Sequence, residues 1–150
     1  MFRLVRVAGE SMSPTYRDSD LLLARPVSPG RVRRGDVAVF RHGGLRLIKR
    51  AVGVPGDLVE VEAGRLFVNG QSVDGCPRLH GAYTQTWRVP AEGYFMAGDN
   101  PNGSDDSRVW DEPFVSAARI DMVIIRHLFG PGRVRGLRPG RPDPAAGRVA

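Results

Sequence analysis

The sequence predicts a mostly-β fold: a folded antiparallel sheet or partly open barrel carrying a small inserted β-hairpin lobe, with little helix. Three observations predict it. Short runs rich in Val, Leu, Ile and Phe recur along the chain, bounded by Gly, Pro and Asp. Tight-turn signals stand between these runs. Nowhere is a helical apolar period sustained over ~10 residues. Regular strands without intervening helices favour a folded sheet or barrel over a layered α/β architecture.

The first expected strand, Phe2–Ala8, ends at Gly9. Leu21–Ala24 and Val37–Phe40 follow, the latter opened by the turn Arg34-Gly35-Asp36. Leu45–Val54 is the longest candidate and is closed by Pro55-Gly56-Asp57. Leu58–Val61 and Leu66–Val68 come next. Asn69-Gly70, set between Leu66–Val68 and Gln71-Ser72-Val73, is a strong short hairpin signal, because both turn residues tolerate positive φ. Tyr94–Ala97 and Met122–Leu128 complete the set, and Glu112–Arg119 is the best candidate for one or two helical turns. Residues 1–129 thus read as one domain, with a lobe inserted at about 64–92.

Residues 130–150 differ in composition, with five Gly, four Pro and five Arg against one Asp. Such a segment is expected to form a flexible tail. It also carries +4 of the formal +6 charge, which leaves the body nearly neutral. Basic residues of the body are interspersed with acids and the tail has no aromatics for stacking, so no nucleic-acid partner is expected. The tail's arginines could meet an anionic membrane surface or acidic partners. The longest apolar runs, Leu21–Ala24 and Met122–Ile125, fall far short of the ~20 residues that span a bilayer, and Met1–Val7 lacks the centre of a secretory signal. The chain as given reads as soluble, cytoplasmic by default. One cysteine, Cys76, excludes an internal disulfide and a cysteine-based metal cluster. His42, His80 and His127 lack metal-ligand spacing, so neither metal nor cofactor is expected.

The basic set is lopsided: 21 arginines and one lysine, Lys49. Guanidinium stays charged at any working pH, so it cannot replace a primary amine that must lose its proton. Strand alternation puts Lys49 on one face with Leu45, Leu47 and Ala51, while Arg46 and Arg50 point to the other. An amine among apolar groups loses solvation of its charged form, its pKa falls, and it can accept a proton near neutral pH. A nucleophile for such a base stands in the Gly- and Pro-containing turn Gly9–Thr15, where Ser11 would expose its hydroxyl beside turn N–H groups able to hold an oxyanion. The polar loop Gly98–Arg108 follows an apolar strand directly. Its spacing misses the calcium-loop pattern, which argues against a cation site.

The order and wording of these segments are specific. Gly9–Thr15 (GESMSPT), Arg34–Phe40 (RGDVAVF), Leu47–Asp57 (LIKRAVGVPGD) and Gly98–Arg108 (GDNPNGSDDSR) resemble the type I signal peptidases, or leader peptidases. The resemblance spans residues from about 7 to 125. It implies a mostly-β folded sheet and a serine endopeptidase with a Ser/Lys dyad that cleaves signal or leader peptides after small residues through an acyl-enzyme. Ser11 matches the nucleophile, whose own N–H contributes to the oxyanion site, and Lys49 matches the general base. Ser104 matches the serine that orients the amine. Met12 follows the nucleophile as in the family. Asp99 and Asn100 match the turn beside the site, and Asp106 and Arg108 match a supporting ion pair.

The implied partner is an extended peptide segment of a precursor protein, and the family precedent for location is the outer face of the cytoplasmic membrane. Only ten residues precede Ser11, so the family's N-terminal membrane anchor is missing from the sequence as given. Three other readings share some of these features. They are a maturation protease dedicated to one partner protein or leader peptide, a self-cleaving repressor of the Ser/Lys type, and a non-catalytic peptide-binding module. The repressor type cuts well upstream of its serine and lacks a block like Gly98–Arg108.

Overall fold

The computed structural model describes residues 1–78, 84–130 and 147–150. The described residues form twelve strands: β1 (Arg3–Val7), β2 (Leu21–Pro26), β3 (Val37–His42), β4 (Leu45–Gly53), β5 (Leu58–Glu62), β6 (Arg65–Val68), β7 (Gln71–Ser72), β8 (Thr84–Arg88), β9 (Gly93–Ala97), β10 (Phe114–Ser116), β11 (Ile120–Phe129) and β12 (Gly147–Val149). Eight of them build one sheet in the order β10-β9-β4-β3-β11-β2-β1-β12, and four build a smaller sheet, β7-β6-β5-β8. All pairings are antiparallel except that of β1 with β12. The mostly-β expectation thus holds, and each strand read from the sequence is present.

The helical expectation over Glu112–Arg119 resolves differently. Phe114–Ser116 joins the sheet edge as β10, and only Ala117–Arg119 makes a single 3-10 turn. Pairing with Tyr94 buries Val115, which offsets more than a short helix could gain alone. Among the described residues, no helix is long and apolar enough to cross a membrane.

Turn chemistry explains the hairpins. Asn69 (φ 50°) and Gly70 (φ 81°) both take positive φ, the requirement of the two-residue turn joining β6 to β7. Register shifts bend the large sheet where β4 meets β9, between Ala51 and Gly53, and twice where β11 meets β2. Apolar residues pack on both sides of β4. Leu47 and Ala51 join Phe40, Tyr94 and Met96 in one cluster, and Ile48 joins Val5, Val7, Met12 and Leu22 in another.

A third cluster, including Val52, Val59, Val89 and Phe95, fixes the small sheet against the large one. Gly53 permits that approach, since a Cβ there would lie 2.7 Å from Val59 Cγ2. Asp57 rivets the junction: it accepts from Arg34 Nε (3.0 Å), Asn69 Nδ2 (2.9 Å) and the Val54 N–H (2.9 Å).

Of the tail expected over 130–150, residues 131–146 lie outside the described residues, as does His80. Gly147–Val149 forms β12, parallel to β1 in the register Val5 to Gly147 and Val7 to Val149.

Candidate active site

β4 and the turn after β1 converge. Ser11 stands in the turn Gly9–Thr15, which is held at both ends. The Gly9 N–H (φ 86°) donates to Asp18 Oδ1 at 2.8 Å, and the Tyr16 N–H to the Met12 carbonyl at 3.0 Å. Met12 is fully buried in the cluster formed by β1, β2 and β4, so the residue after Ser11 anchors the turn while the serine faces out. Lys49 lies near the middle of β4, opposite Ala38 of β3. Its Nζ is 3.0 Å from Ser11 Oγ.

The side chain of Lys49 is only 2 % exposed. Burial pulls its pKa down from 10.5 to about 8, against the opposing attraction of Asp106 and Asp105. The amine is thus poised to exchange a proton near neutral pH, and its near neighbour is a hydroxyl. A cleft of about 420 Å³ opens over the pair, lined by Gly9, Leu47, Trp110 and Ala150 among others.

The loop Gly98–Arg108 closes the other side. The Asn100 N–H donates to the Ser11 carbonyl at 3.0 Å, and Asn100 Nδ2 donates to the Glu10 carbonyl at 3.0 Å, so one residue grips the serine turn twice. Asp106 is fully buried. It receives Arg108 Nε (2.9 Å) and Nη2 (2.6 Å), the Gly98 N–H (2.8 Å) and the Ser104 hydroxyl (2.6 Å). Burial alone would raise its pKa, but these bonds outweigh that and hold it below the usual carboxylate value. The resemblance assigns Ser104 a hydrogen bond to the lysine amine. Here its hydroxyl donates to Asp106, and the second bond of the amine goes to the main-chain oxygen of Ala150 (3.2 Å).

Asp99 has two partners that sequence reading missed, Arg50 and Thr15. Arg50 forms a two-pronged bond to it (Nε 2.9 Å, Nη2 2.6 Å), and the Thr15 hydroxyl donates at 2.6 Å. Burial opposes the charge of Asp99, yet Arg50 and Thr15 together hold its pKa below the ordinary value. Alternation assigned Arg50 only to the face away from Lys49. Its place within the same block as the lysine was the available signal, but nothing in sequence spacing connected it to a loop 49 residues on. Ser11, Met12, Lys49, Asp99, Asn100, Ser104, Asp106 and Arg108 all gather around this one cleft or its supporting loop.

A folded antiparallel sheet with a turn serine against a buried lysine defines the class of protein at hand. The chain matches the family described as signal peptidase, peptidase S26, over residues 1–126, and it belongs to that family. Among curated proteins it is similar to signal peptidase I of Pseudomonas fluorescens, at 31% identity over 83% of this chain and 61% of the relative. It is also similar to signal peptidase I of Leptolyngbya laminosa (34% identity, 69% of this chain, 58% of the relative). A third is signal peptidase I S of Bacillus subtilis strain 168 (31% identity, 68% and 64%). The chain spans about three fifths of the length of these relatives.

Proposed function

We propose that the chain is a serine endopeptidase that cleaves signal or leader peptides from precursor proteins, with Ser11 as nucleophile and Lys49 as general base. The observation that carries this reading is the 3.0 Å approach of the desolvated Lys49 amine to Ser11 Oγ. In the neutral state Lys49 takes the Ser11 proton as the hydroxyl attacks a peptide carbonyl. The Ser11 N–H donates to the oxyanion, which lowers the barrier because the donor is fixed before charge develops. Protonated Lys49 then gives its proton to the leaving amine, and the acyl-enzyme remains. Water, deprotonated by the same lysine, attacks the ester and releases the new carboxylate.

Supporting residues act through position. Asn100 fixes the main chain of the Ser11 turn, Asp106 with Arg108 anchors the Gly98–Arg108 loop, and Asp99 ties that loop to β4 through Arg50. Ser104, whose hydroxyl donates to Asp106 here, orients the amine when the peptide is bound. The substrate is an extended peptide with small residues at the first and third positions before the cut, paired to exposed strand edges. The relatives named signal peptidase I support precursor processing.

Incubation of a secretory precursor with the purified chain tests this reading, followed by mass spectrometry of the products. The expected result is one cut after a small residue, present with the native chain and absent with Ser11→Ala. Equal cleavage by Ser11→Ala would overturn it.

A further inference from the structure

A strand already lies where the proposed reading puts a substrate. β12 forms the sheet edge, running parallel to β1, and its following residue turns to β4. Beyond the β1–β12 ladder, three further main-chain hydrogen bonds hold it there. The Ala8 N–H donates to the Val149 carbonyl (2.6 Å), the Ala150 N–H to the Arg46 carbonyl (3.1 Å), and the Ile48 N–H to the main-chain oxygen of Ala150 (2.7 Å). Ala8 is two residues before Glu10 in the serine turn, and Ile48 precedes the lysine. The Ala150 oxygen also accepts from Lys49 Nζ at 3.2 Å, while that same Nζ stands 3.0 Å from Ser11 Oγ. A main-chain oxygen thus sits beside the proposed base and nucleophile, delivered by β-strand addition.

Its side chains follow the same logic. Val149 is 1 % exposed and packs among Val5, Val7, Met12, Leu22 and Ile48, whereas Arg148 and Ala150 face outward. Val149 therefore fills an apolar pocket floored by the residue that follows Ser11. The fit is main-chain pairing plus one small branched side chain, which is how an extended peptide is recognised at a sheet edge.

We propose that Gly147–Ala150 is an autoinhibitory occupant of the peptide groove, docked in cis and displaced by substrate. The proposal rests on the peptidase reading only for the word autoinhibitory; the docking and its competition with other peptides do not require catalysis. Residues 131–146 connect Phe129 and Gly130 to the docked strand, and sixteen residues can reach at most about 55 Å, ample for a domain of this size. A tethered segment meets its site at an effective concentration on the order of mM, so even a weak four-residue strand competes with free peptide.

The test uses the Ser11→Ala chain, so that nothing is cleaved, and a fluorescein-labelled peptide of sequence AAGRVA read by anisotropy. Deleting residues 147–150 is expected to tighten binding of this probe at least ten-fold relative to the full chain. Val149→Asp in the full chain is expected to do the same, because a carboxylate cannot enter the apolar pocket. Equal affinities in all three proteins, or no binding in any, overturn the proposal.

Amide hydrogen exchange on the intact chain needs no disruptive variant. An exchangeable occupant releases the Ala8 and Ile48 amides together and far faster than the core amide of Val39. Protection of all three at one common level overturns the proposal, since it marks a strand that leaves only on global unfolding. Cleavage enters neither readout. An inert Ser11-intact protein would therefore sink the peptidase reading and leave this one standing.

Discussion

Lys49 Nζ and Ser11 Oγ lie 3.0 Å apart across 38 residues of sequence, with the amine almost wholly removed from water. Their proximity is built by two unrelated restraints. One is the pairing of β4 between β3 and β9, and the other is the burial of Met12, which leaves its neighbour Ser11 at the mouth of the cleft.

The pH dependence of cleavage follows from the sign of the lysine shift. The base works only when neutral, and its pKa is lowered to about 8. Activity should therefore rise with pH through a midpoint near 8 and level off above it. A kcat/KM profile from pH 6 to 10 measures this; a flat profile would remove Lys49 as the base.

Lys49→Arg keeps the positive charge and loses the ability to accept a proton. Hydrolysis should fall by about 10³-fold or more, while far-UV circular dichroism stays native. Lys49→Met should be equally inactive but more stable, by ~1–2 kcal/mol, because desolvation of the ammonium outweighs its attractions in the fold. Urea titration at pH 7 checks the second point.

Asp106→Asn removes the charge partner of Arg108 in a fully buried position, at a cost of about 3–5 kcal/mol. It also withdraws an anion that favours the protonated form of Lys49, so the lysine pKa should drop further. The midpoint of the pH–rate profile should consequently move to lower pH than in the native protein. An unchanged or raised midpoint would show that the carboxylate does not act on the amine.

Gly98→Ala tests the tightness of the loop contact. Its Cβ would meet Ser104 Oγ at 2.2 Å and the Ser11 carbonyl at 2.5 Å, so the serine turn must shift. A displacement of the nucleophile of ~1 Å costs on the order of 10²-fold in kcat. Single-turnover kinetics should show the loss in the acylation step, with peptide binding to the corresponding Ser11→Ala background changed far less.

The Asn100 grip on the serine turn gives a milder prediction. Asn100→Ala loses the side-chain bond to the Glu10 carbonyl but keeps the main-chain bond to Ser11. Stability should drop by about 1 kcal/mol, with kcat reduced several-fold and the pH midpoint unchanged, since no charge near Lys49 is altered. A thermal melt and a pH–rate profile together separate this from the Asp106 effect.

Much of this protein was determined by its sequence alone. The apolar runs and the Gly- and Asn-containing turns specify where strands begin and end, because φ preference and period-two burial act locally. The single lysine in an arginine background singled out the position proposed as the base, and four blocks of wording tied it to a serine turn and a polar loop. The tertiary structure alone decided the distances. Alternation states which face a side chain takes, but bulges and sheet curvature, set by packing of residues far apart in sequence, decide what it meets there. Arg50 reaches Asp99 and Ser104 turns to Asp106 for that reason. So does Gly147–Ala150, an Arg- and Gly-containing stretch with no strand signal of its own. It becomes a strand because β1 and β4 offer main-chain partners and one apolar pocket for Val149.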